Sequence, residues 1–120
     1  MRIVITANGK TLDDQVDPRF GRAAFFLVVD TETGSFEAHD NVQNLNAVQG
    51  AGIQAARQVV QLGAGAVLTG HVGPKAFAAL HAAGVKIYAG AAGTVREAID
   101  EYKAGQLAET NEATVEGHWM

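Results

Sequence analysis

The chain has 120 residues, 48% of them hydrophobic and 18% charged, which suits one compact domain and excludes a disordered polymer. It has no cysteine, so disulfides, thiolate nucleophiles and thiolate-ligated zinc or iron-sulfur centres are excluded. A formal net charge of -4 opposes the phosphate attraction of nucleic-acid binders, no apolar run approaches the roughly 20 residues of a membrane span, and Met1 to Ile5 lacks a signal-peptide pattern; the expected setting is the cytoplasm, with neither nucleic acid nor membrane as partner.

Arg2 to Ala7 is β-rich and runs into the turn signal Asn8-Gly9, which predicts a first strand. Lys10 to Arg22 follows as a polar loop anchored by Leu12, Val16 and Phe20, and its length marks it as functional or disordered. Ala24 to Asp30 is a nearly continuous apolar run, Thr31 to Gly34 a turn, and Ser35 to Asp40 an alternating segment whose polar face carries Ser35, Glu37 and His39. These predict a β-hairpin with its second arm at a sheet edge.

Gln49 to Leu62 predicts a first helix, with Ile53, Ala56 and Val60 at helical spacing and Gly63 as its stop. Ala66 to Thr69 reads as a short buried strand, and Gly70-His71-Val72-Gly73-Pro74 leads into a second helix carrying Phe77, Leu80 and Ala83. Val85 to Ala89 is a last strand, Gly90 to Gly93 a loop, and Thr94-Val95-Arg96-Glu97 a capping box opening a third helix with Val95, Ala98, Ile99 and Tyr102 on one face. Residues 106–120 are polar and aperiodic, which predicts a loose C-terminal tail on a single α/β domain of residues 1–105.

One strand, a hairpin and two helix-strand units predict a five-stranded mixed sheet of order 3-2-1-4-5, strand 2 alone antiparallel, with helices on both faces. Strands 1, 3, 4 and 5 then end at one edge, where helices start at Gly50-Ala51-Gly52, at Gly70 to Gly73 and at Gly90 to Gly93. Unpaired N–H groups and partial positive charge at helix starts attract anions, glycine lets a ligand approach the backbone, and Lys10, Arg19 and Arg22 spring from the same edge.

Within Asp17-Pro18-Arg19-Phe20-Gly21-Arg22, two guanidinium groups can donate to an oxyanion or a sulfide-rich anion, or else pair structurally with Asp13, Asp14 or Asp17. His71, between two glycines ahead of a helix, can ligate a metal, donate to an anion, or be an ordinary loop residue. His39 and His81 read as surface residues. Gly50 to Ala55 fits a relaxed G-x-G-x-x-A pattern, the basis of a rival reading as a nucleotide- or phosphate-binding module; yet Thr69 and Gly70 stand about 20 positions on, where an acidic residue belongs. A metal-dependent phosphoesterase would need Asp13 and Asp17, with others, to converge.

Over nearly its whole length the chain resembles the dinitrogenase iron-molybdenum cofactor biosynthesis family. The likeness rests on the Arg2 to Asn8 strand, Phe20-Gly21-Arg22-Ala23, Asn41 after the hairpin, Gly50-Ala51-Gly52, the Ala66 to Pro74 segment, and Gly84 to Tyr88. It implies a ribonuclease H-like motif and a non-catalytic protein that binds or carries an anionic metal-sulfur cluster, of iron-molybdenum or molybdenum-copper sulfide type, with a protein donor or acceptor of that cluster as partner. The cofactor-binding positions expected are Asn8 and Asn41, the loop Arg19, Phe20, Gly21 and Arg22, and the glycines Gly50 and Gly52. To these are added Gly70, His71, Val72 and Gly73 at the second helix and Gly90 and Gly93 at the third, with His71 the candidate metal ligand. Gln49 stands where many members carry histidine, and Arg19 where some do. Both differences favour holding the cluster through hydrogen bonds and charge over direct coordination.

Overall fold

A computed structural model describes residues 1–41 and 51–112. Five strands, β1 (Arg2–Ala7), β2 (Phe25–Asp30), β3 (Phe36–Asp40), β4 (Ala66–Leu68) and β5 (Lys86–Tyr88), form one sheet of order β3-β2-β1-β4-β5. β2 runs antiparallel to both neighbours, whereas β1, β4 and β5 are mutually parallel. Three helices, α1 (Ala51–Gln61), α2 (Pro74–Ala82) and α3 (Val95–Lys103), complete the described elements. The expected architecture is the one found.

The continuous apolar character of β1 and β2 follows from burial on both faces, since successive side chains of a strand point opposite ways. Val4, Phe26 and Val28 join Val67 and Ile87 under α1 and α2, while Ile3, Ile5, Leu27 and Val29 join Ala66 and Leu68 under α3. Among the described residues β3 has no such double cover, and Phe36 is 41% exposed.

Two local expectations are corrected. The buried face of α1 is Ala51, Ala55, Ala56 and Val59, whereas Ile53 is half-buried and Val60 is 40% exposed. Small residues face inward because α1 and α2 pack closely: a Cβ added at Gly52 would lie 3.2 Å from the Ala76 Cβ. The described part of the tail is not loose. The Gln106 N–H donates to the Glu101 carbonyl, Leu107 packs on the α3-side core, and the Thr110 N–H donates to the Ile87 carbonyl at 2.7 Å while its Oγ1 accepts from the Ala89 N–H. That segment covers part of the β5 edge, a usual protection for an open strand. Among the described residues no helix is long and apolar enough to cross a membrane.

Candidate functional site

Parallel pairing of β1, β4 and β5 places their C-terminal ends together, and the loops that follow build a rim. The long loop after β1 is laced across this rim by backbone. The Asn8 N–H donates to the Gln15 carbonyl, the Val16 N–H to Gly93, the Asp17 N–H to Thr6, and His71 exchanges bonds with the 18–20 segment through its N–H to Pro18 (2.7 Å) and its carbonyl from Phe20 (3.3 Å). Arg19 and His71 therefore sit as partners in a short parallel bridge. Below it, Thr6 Oγ1 donates to the Asp17 carbonyl at 2.7 Å and lies 2.8 Å from Thr69 Oγ1, a buried link between the ends of β1 and β4.

Two glycines are needed for close approach. A Cβ on Gly70 would lie 2.6 Å from the Pro18 Cα, and one on Gly21 would lie 2.9 Å from both Cα and N of Gly52. The first contact seats the 17–20 segment on the β4 end; the second presses the loop onto the start of α1. Asn41, buried, closes the arrangement by donating from Nδ2 to the Ala23 carbonyl at 2.8 Å, while its N–H donates to Ala24.

The three helix starts differ. α2 begins after Gly73 with no side-chain cap and with Pro74 at its first position, so its early N–H groups point to the rim without a carboxylate or hydroxyl closing them. α1 begins beside Gly21 and has no acidic residue in its first turn. α3, on the opposite face, is sealed: Thr94 and Glu97 form the expected capping box, and the Val95 and Arg96 N–H groups donate to the carbonyls of Asp14 and Leu12. Gly90 donates to Gly70, and the Gly93 carbonyl accepts from Val16, so both join the rim's scaffold. The α3 start, expected to be open, is closed.

Among the basic groups, Arg19 is 64% exposed at its side chain while its partner Asp17 is 1% exposed; Nε and Nη2 lie 3.2 and 3.3 Å from the carboxylate. The hydrogen bonds and the charge of Asp17 raise the Arg19 pKa above its ordinary value. Arg22 is half-buried and His71 exposed. Lys10 lies over the Phe25 ring, 5.6 Å from its centre.

The structure thus gathers Arg19, Gly21, Arg22, Gly52, Gly70, His71 and Gly73 around the starts of α1 and α2. Phe20 and Val72, both expected as cofactor-binding positions, have their side chains buried in the core. Asn8 is exposed at the start of the loop, directly after β1, and Gly50 lies outside the described residues. Asp17, Thr6 and Thr69 escaped the sequence reading as site residues, although a hydroxyl at the end of each of two adjacent strands was a visible signal. Asp13 pairs with Arg96 at 3.1 Å and Asp14 accepts from Thr11, so the aspartates are separately engaged. Among the described residues no group of three His, Asp or Glu side chains could hold a metal ion.

These features define a class: a small five-stranded α/β protein whose parallel strands end in a glycine-lined rim with arginine and histidine beside two helix starts. The chain belongs to the dinitrogenase iron-molybdenum cofactor family, whose model matches residues 1–105. It is similar to the orange protein of Desulfovibrio gigas, solved in its apo form, at 48% identity with a TM-score of 0.93 over 95% of this chain and 96% of that one. A Thermotoga protein described as NifB-like, of the DUF35 family, shares 39% identity with a TM-score of 0.83 over 97% and 98% of the two chains. An uncharacterized Methanocaldococcus jannaschii protein is 26% identical over 97 residues, 79% of this chain and 82% of its own.

Proposed function

We propose that this protein binds and carries an anionic metal-sulfur cluster at the rim, held by the Arg19 to Arg22 loop and the starts of α1 and α2. The observation that carries the reading is the contact of Gly21 with Gly52 beside the uncapped start of α2, which concentrates backbone donors at one place. Helix starts favour anions, and guanidinium groups donate strongly to them. The donor set fits an anion gripped through its outer sulfur or oxygen atoms: N–H groups dominate, and no three carboxylate or imidazole ligands meet among the described residues. His71 would donate to the cluster or supply a single ligand.

Family membership supports a cargo of iron-molybdenum type; a molybdenum-copper sulfide cluster has the same anionic, sulfur-rich surface and is the second composition proposed. Carriage without turnover, in the cytoplasm, between a donor and an acceptor protein, completes the proposal.

Anaerobic purification followed by metal analysis and a visible spectrum tests it. Molybdenum with iron or copper, and visible absorption that survives gel filtration, are the expected results. A colourless protein that takes up no cluster, while calorimetry shows tight binding of ATP or NAD, would replace this reading with a nucleotide-binding one.

A further inference from the structure

A carboxylate buried under an anion-binding rim is at first sight misplaced, because its charge repels the guest. Asp17 is 1% exposed, yet its carboxylate makes three bonds to one residue: Oδ1 accepts from the Arg19 backbone N–H at 3.0 Å and from Nε at 3.2 Å, and Oδ2 accepts from Nη2 at 3.3 Å. The first closes an aspartate turn across Pro18, and the other two grip the guanidinium side-on. The turn itself is clamped, by Thr6 Oγ1 on the Asp17 carbonyl, by His71 N–H on the Pro18 carbonyl, and by the close seat of Pro18 on Gly70.

We infer that Asp17 is a positioning residue, which holds the Arg19 guanidinium in one orientation beside His71 with its Nη1 edge turned away from the carboxylate as a donor to the cargo. The inference rests on the rim reading above and assigns a role to a residue that reading does not use. A long exposed side chain pays rotamer entropy to grip a ligand, and a side-on carboxylate removes that cost beforehand. The pair is neutral overall, so its hold on an anion is directional and releasable, as a carrier requires.

The test uses the full chain, tetrathiomolybdate with copper(I) as probe, and a cycle of Asp17→Asn, Arg19→Gln and the double variant. Each single change is expected to weaken probe retention about tenfold, and the double change no more than either alone, because coupled residues are not additive. Alongside, the Arg19 Nε–H resonance of the cargo-free protein should be resolved and slow to exchange in the wild type and should move to the position of a free arginine in Asp17→Asn. An Asp17→Asn protein with unchanged retention, losses that multiply in the double variant, or an Nε–H signal already free in the wild type would each overturn the role of Asp17. A wild type that ignores the probe while keeping the protected Nε–H signal would sink the cluster-carrier reading and the donor role together, and leave the Asp17–Arg19 grip as structure alone.

Discussion

Arg19, Phe20, Gly21 and Arg22 occupy four successive positions, and their side chains are not equivalent. Phe20 is 2% exposed and packs 6.0 Å from the Phe26 ring centre, so it anchors the loop while its neighbours face the rim. Changing Arg19 and Arg22 to Gln should therefore weaken retention of a molybdenum-sulfur probe by at least tenfold and also lower the melting temperature, because the buried Asp17 carboxylate loses its charged partner and Arg22 is itself half-buried. Equilibrium dialysis beside a thermal melt checks both halves. Asn41→Ala strips a donor from the buried Ala23 carbonyl and should cost about 1–3 kcal/mol, read from urea unfolding. In the sequence, Asn41 was visible only through family resemblance, since nothing local to a strand end says that its amide will turn back 18 residues. The arginines were legible because charge near a strand end is a local signal. The Asp17 grip was legible only as one of three possible pairings.

Helix α3 illustrates how an element can be foreseen and its role mistaken. Its capping box was legible from Thr94 and Glu97, but the two carbonyls that fill its remaining donors come from Leu12 and Asp14, about 80 residues earlier, and no local pattern announces them. Thr94→Ala should cost about 1 kcal/mol of stability and leave probe retention unchanged, because this helix start is closed to ligands. Glu97 and Asp14 are held below their ordinary values of 4.5 and 3.8, chiefly by the backbone N–H groups of Thr94 and Thr11 and then by the hydroxyls of the same residues. A carboxyl depressed in the folded state stabilises above its unfolded value, and that contribution is lost as pH falls through the lowered folded value. Urea midpoints should accordingly fall on acidification below about pH 4, and less steeply in Glu97→Ala than in the wild type. Helix α1 was misjudged by size: larger apolar residues suggested its inner face, whereas close packing on α2 selected alanines and Val59. Val59→Asp should abolish cooperative unfolding, while Ile53→Asp should leave a folded protein, as circular dichroism melts will show.

At the scale of the whole molecule, strand order followed from chain order, because a hairpin must pair locally and parallel strands need crossing helices. The clustering of strand ends followed from that order. What the sequence left open was which of the three helix starts stay available once the long loop is laid across them, a question of long-range backbone contact that residue periodicity does not encode. The central claim is that negatively charged inorganic cargo rests where Gly21 meets Gly52, beside the starts of α1 and α2. Titrating isotope-labelled protein with tetrathiomolybdate and copper(I), and following the backbone amides by NMR, tests it most directly. Shifts confined to residues 19–22, 51–53 and 71–76, with Thr94 to Glu97 unmoved, are predicted; shifts centred on the α3 start, or none at saturating probe, would contradict the account.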